Sequence, residues 1–190
     1  MVNNTGVIEA RSVSTRNGVI RLEGGESGVV ATSGTLDASG RGARETGGYV
    51  EITGEKVALL PGSRVDAAGT SGGGTILIGG DLQGGNPAVR NADRTFIAQG
   101  AAVSADAVAN GDGGKIIVWG TTSAQVHGTL TANAGSEGGD GGFVETSGKH
   151  LDVDGARIEA AAPSGRGGTW LLDPYNLTIS GAATSNTDNN

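Results

Sequence analysis

Apolar and polar residues alternate along most of the chain, in beats of four to six residues separated by Gly, Asn or Asp. Val, Ile and Thr dominate the beats, a pattern that predicts short strands bounded by turns. One set of beats covers 49–53, 56–60 and 64–67, broken at Gly54-Glu55 and Pro61-Gly62. Others cover 115–119, 124–127 and 129–132, and 143–147, 150–153 and 156–160. Each trio opens on one phrase, such as Gly47-Gly48-Tyr49-Val50-Glu51-Ile52, Gly113-Gly114-Lys115-Ile116-Ile117-Val118 or Gly141-Gly142-Phe143-Val144-Glu145-Thr146.

The phrase occurs six times, marked by Gly18, Gly48, Gly74, Gly114, Gly142 and Gly168, at intervals of 30, 26, 40, 28 and 26 residues. A period in this range is the mark of a solenoid. No helical pattern lies between the strands, so βαβ units are not expected. The pattern predicts an all-β chain, a single-stranded parallel β-helix of about six coils with three short strands per coil. Equivalent strands would lie about 4.8 Å apart, and equivalent residues would form ladders. On the first face the inward ladders would be Ile20, Val50, Ile76, Ile116, Val144, Trp170 and Leu22, Ile52, Ile78, Val118, Thr146, Leu172. The outward ladder between them would be Arg21, Glu51, Leu77, Ile117, Glu145, Leu171, half of it charged, with Arg21 facing Glu51 one coil up. A slip of one residue would bury those charges, which specifies the register.

These boundaries give a β-helix over 1–180, with 1–16 as a partial first coil and 181–190 as a flexible tail or linker rich in Ser, Thr, Asn and Asp. The interval of 40 residues contains a polar insertion, 81–94, that breaks the periodicity. Insertions in solenoids map to surface loops on one face, often the binding face.

Composition narrows the picture. With 37 glycines in 190 residues, long helices are disfavoured. A coil that turns three corners in few residues needs glycine there. The net charge of −7 argues against nucleic acid and against an anionic membrane surface. There is no cysteine for disulfides or a thiolate metal site, and no apolar run long enough to insert in a membrane.

Candidate chemistry is sparse. His127 and His150 fall on outward positions without partners at triad or metal spacing, and Asp152 and Asp154 alternate with Leu151 and Val153 as a solvated face. Asp37, Asp66 and Asp106 recur in third beats as a candidate acidic ladder, which turn-end capping of backbone N–H groups also explains. The glycine-rich 111–114 and 138–141 lack the Lys-Ser/Thr of a phosphate loop and the repeated Asp of a calcium-binding nonapeptide. No catalytic residue, cofactor site or metal site is assigned, so the chain is not expected to be an enzyme. Candidate ligand contacts are Arg90 and Arg94 in or beside the insertion, and Trp119, which with Tyr49 and Phe143 points outward.

The phrases 73–81, 113–119, 141–149 and Gly168-Thr169-Trp170-Leu171-Leu172-Asp173-Pro174-Tyr175-Asn176-Leu177-Thr178-Ile179 resemble the two-partner-secretion exoproteins of Gram-negative bacteria. These are the filamentous-haemagglutinin-like and high-molecular-weight adhesins, and the likeness spans about residues 15–180. It implies a right-handed β-helix, export through a dedicated outer-membrane transporter, and a secreted or cell-surface location. Secretion domains of that family carry Asn-Pro-Asn motifs, whereas this chain has only Asn86-Pro87-Ala88. The likeness therefore implies a segment after the secretion domain. On these grounds the chain is expected to be a rigid, non-catalytic spacer or display rod of a surface adhesin. A host glycan or protein is a candidate partner, and exposed coil ends could associate end to end. The alternatives are a carbohydrate-binding or carbohydrate-degrading β-helix, which predicts an Asp/Arg groove beside 81–94, and a surface-binding solenoid. The latter needs a flat outward Thr ladder, which Thr75 and Thr169 alone do not make.

Overall fold

The computed structural model describes residues 1–11 and 17–175. The chain winds as a parallel β-solenoid of about six turns, with one 3₁₀ turn as its only helix among the described residues. The first face stacks Val19–Glu23, Tyr49–Thr53, Thr75–Ile78, Lys115–Val126, Phe143–Asp152 and Thr169–Pro174. The third face stacks Val7–Glu9, Thr35–Asp37, Arg64–Asp66, Ala102–Ser104, Thr129–Thr131 and Arg157–Glu159. The second runs through Val2–Asn4, Val29–Thr32, Lys56–Leu59, Arg94–Ile97 and then the second halves of the two long strands.

The marked phrases stand in the predicted register. Ile20, Val50, Ile76, Ile116 and Val144 are partners in sequence along the stack, and all but Ile20 are fully buried. The third face carries its own ladder, Ile8, Leu36, Val65, Val103, Leu130 and Ile158. These columns meet in one continuous apolar core. Burying each such side chain contributes about 1.5–3 kcal/mol.

The paired glycines close each coil. The N–H of Gly74 donates to Ala67 O at 2.8 Å, and Gly114 and Gly142 repeat the bond to Ala105 and Ala132 at 2.7 Å. A Cβ on Gly74 would stand 2.1 Å from Gly48 O, and one on Gly114 2.1 Å from Gly74 O. Close backbone approach between coils, not a left-handed φ, requires glycine at these positions.

Four expectations are corrected. Beats 115–119 and 124–127 form one strand, as do 143–147 and 150–153, because coil-to-coil pairing continues round that corner through Gly120 and Gly148, with a bulge before Ser123. Asp106 falls outside the acidic ladder: Asp37 pairs Asp66, but Asp66 pairs Ser104, which places Asp106 two positions further along. Trp170 and Leu172 continue the inward columns yet are 39% and 38% exposed, since no described coil lies over them. The middle of the outward ladder is not solvated: Glu51, Leu77, Ile117 and Glu145 are all buried, while Arg21 at its start is exposed. The predicted tail at 181–190, and Val13 of the partial first coil, lie outside the described residues.

Candidate functional site

The cover over Leu77, Ile117 and Glu145 is the insertion. It leaves the stack after Thr75–Ile78 at Gly79 and Gly80, both at positive φ, and returns at Arg94–Ile97. Its base is closed by Ala92 N–H donating to Gly79 O at 2.7 Å. Asp81 caps the 3₁₀ turn Leu82–Gly84 by accepting from Leu82 N–H. It also accepts from Asn86 Nδ2 at 2.8 Å and pairs with Lys115 Nζ at 3.1 Å. Burial pushes its carboxyl up, but those three donors outweigh burial and leave it below the usual carboxylate range. Val89 then packs on Leu77 and Ile117, with Tyr49 and Phe143 at the edges of the cluster.

Glu145 sits under this loop, fully buried. Ser147 Oγ donates to its Oε1 at 2.6 Å, and Gln83 N–H reaches both oxygens at 3.0 and 3.2 Å. Gln83 has φ +52°, the one positive φ outside glycine among the described residues, which turns its N–H inward. Burial raises the carboxyl's pKa despite the bonds from Ser147 and Gln83, and the charges of Asp173 and Asp81 add to the rise. Glu51 is held in the same ladder by Tyr49 Oη at 2.7 Å and, as predicted, by Arg21 Nε at 3.3 Å. Burial and then the bond to Glu51 push the Tyr49 phenol well above its usual range.

The acids singled out from sequence are tied up in turns. Asp37 accepts from Ser39 N–H at 3.0 Å and Ser39 Oγ at 2.6 Å, and pairs with Arg11 and Arg41. Asp66 accepts from Ala68 N–H at 2.9 Å and pairs with Arg64 at 3.1 Å. Asp106 accepts from Ser104 Oγ, Thr131 Oγ1 and Asn133 N–H at 2.6–2.7 Å. These bonds are the backbone and turn capping that Asp commonly supplies. His127 packs edge-on to Phe96 at 5.9 Å, its Nδ1 2.8 Å from Asp154 O and its Nε2 3.9 Å from Asp152. His150 is exposed.

The three candidate ligand contacts are scattered. Arg90 donates to Glu26 O, tying the insertion to an earlier coil. Arg94 is exposed beside Asp93 at 3.4 Å. Trp119 lies against Gly80 and Gly84 of the insertion and donates from Nε1 to Thr121 Oγ1 at 3.3 Å. Its other flank opens on a cleft of about 330 Å³ lined by Thr121, Gly148, Lys149, Asp173 and Tyr175. The last three were not singled out in sequence. The spacing from each second glycine could have found Asp173: Trp119, Ser147 and Asp173 each stand five residues after theirs. Among the described residues no three acids or histidines group to hold a metal ion, and no helix is long and apolar enough to cross a membrane.

No protein-family model matches the chain, and comparison with curated proteins finds no match. Among solved structures the chain is similar to the HMW1 secretion domain from Haemophilus influenzae, at 35% identity and a TM-score of 0.74. The match covers 89% of this chain and 43% of that one, so the chain spans less than half the length of the structure it matches. The likeness lies within a secretion domain, not beyond one.

Proposed function

From a chain related in sequence and fold to a two-partner-secretion adhesin domain, we propose a structural role in a large secreted surface adhesin of a Gram-negative bacterium. In this reading the solenoid is a rigid, non-catalytic rod that spaces and displays other regions. The longer protein reaches the cell surface through an outer-membrane transporter, and this segment is part of the β-helix that folds as the chain emerges. Coils that bury their apolar faces only on their neighbours suit such growth, because each new coil finds its template in the last.

One observation carries the reading: equivalent residues stand in register from Val19–Glu23 to Thr169–Pro174, with one bulge at the corner before Ser123. The experiment is expression of the longer protein with and without its transporter, followed by incubation of the purified chain with a panel of polysaccharides. Transporter-dependent appearance at the surface and no change in polymer length are expected. Turnover of any polymer would overturn the rod reading.

A second reading, carbohydrate binding by the β-helix, is favoured by the aromatic-walled cleft beside Trp119.

A further inference from the structure

The shape of that cleft follows from ladder register. Trp119, Ser147 and Asp173 stack in one column, and Gly120, Gly148 and Pro174 in the next. Ser147 is small and fully buried, and Gly148 has no side chain, so the middle coil raises no wall. A Cβ on Gly148 would meet Gly120 O at 2.7 Å, so the notch cannot be filled from there. The walls therefore stand two coil spacings apart, about 9.6 Å. Trp119 forms one of them, and Asp173 and Tyr175 the other. The volume falls in the range that holds small ligands.

Asp37, Asp66, Asp106, Asp81 and Asp140 are all committed to ion pairs or capping bonds. Asp173 and Lys149 are exposed, and among the described residues neither makes an ion pair or a side-chain hydrogen bond. Lys149 Nζ stands 6.0 Å from the Tyr175 ring centre. Trp119 presents a half-buried indole, pinned by Thr121 on one side and by the insertion's backbone on the other.

A fixed aromatic plane flanked by a spare carboxylate and a spare ammonium matches a pyranose ring. The C–H face of the sugar lies on the indole, while adjacent hydroxyls donate to Asp173 and accept from Lys149. The net charge of −7 opposes a polyanionic ligand. We infer that the Trp119–Asp173 cleft binds a neutral pyranose unit of a glycan. The inference rests on the carbohydrate-binding reading and leaves the rod reading intact.

The test titrates the full chain, in a Trp170→Phe background, with cellohexaose, maltohexaose and a neutral galacto-oligosaccharide, with trigalacturonate as the acidic control. Trp119 emission and calorimetry report binding. At least one neutral probe should shift the emission with a dissociation constant in roughly the millimolar range. Asp173→Asn and Lys149→Ala should each weaken it about tenfold at an unchanged melting temperature. Trp119→Ala should abolish it. The inference fails if no neutral probe shifts the emission, or if trigalacturonate binds more tightly. Binding unchanged in both Asp173→Asn and Lys149→Ala would also overturn it, while leaving glycan binding seated elsewhere.

Discussion

The backbone N–H of Gln83 donates to both carboxylate oxygens of Glu145, at 3.0 and 3.2 Å, across 62 residues of chain. This contact ties the insertion to the solenoid two strands further along the first face. It converts a charged outward position into a buried anchor.

Replacing Glu145 by Ala leaves the Gln83 N–H and Ser147 hydroxyl without their acceptor. The expected cost is about 1–3 kcal/mol, from the penalty of an unmade buried hydrogen bond. Urea unfolding measures it, and amide exchange at Gln83 should quicken in parallel. An unchanged urea midpoint would mean that the contact holds nothing.

Glu145 and Asp37 should respond to acid in opposite directions. Glu145 has a folded pKa above its unfolded one, so it binds its proton more tightly when folded. Its contribution is least favourable above the raised pKa and improves as pH falls through it. Asp37 has a folded pKa below the ordinary 3.8, because bonds from Ser39 and Arg11 outweigh burial. Its stabilisation is complete above 3.8 and is lost as pH falls through the depressed value. Relative to wild type, Glu145→Gln should therefore lose its advantage on mild acidification, whereas the defect of Asp37→Asn should shrink only in strong acid. Urea midpoints taken across that range check both signs.

Replacing 81–92 by a short turn, as Gly54-Glu55 serves in the preceding coil, uncovers Leu77 and Ile117. Each is worth about 1.5–3 kcal/mol of burial, so the shortened chain should unfold at lower urea and bind a hydrophobic dye. Val89→Ser should do the same in part. A shortened chain as stable as the parent would show that the loop is only draped over the sheet.

The glycines should separate by their neighbours. Gly114→Ala places a methyl 2.1 Å from Gly74 O and should cost about 3 kcal/mol or more. Gly167→Ala meets nothing within 4 Å and should stay within about 0.5 kcal/mol of the parent. Thermal unfolding of the two variants decides whether coil spacing, rather than turn flexibility, requires these residues.

Within the core, Leu36→Ala removes a fully buried rung from the third-face ladder and should cost about 2–5 kcal/mol. Val7→Ala, at an exposed outward position on a neighbouring strand, should cost less than about 0.5 kcal/mol.

The coil count, the inward columns and their register can be read from the chain before it folds. Those follow from a period of two within each strand and a repeating glycine phrase, both local properties of the chain. The stacking of Ile76, Ile116 and Val144 was therefore legible before any coordinates. The burial of Leu77, Ile117 and Glu145 was settled by the way the chain folds back on itself. Alternation says that a side chain points away from the axis, but it does not say whether solvent waits there. That depends on where the fold of residues 81–94 comes to rest, set by Val89 and Gln83 meeting partners dozens of residues away. The same holds for Asp173 and Lys149: register aligned Asp173 with Trp119, and the absence of a wall at Ser147 and Gly148 made the space between them a cleft.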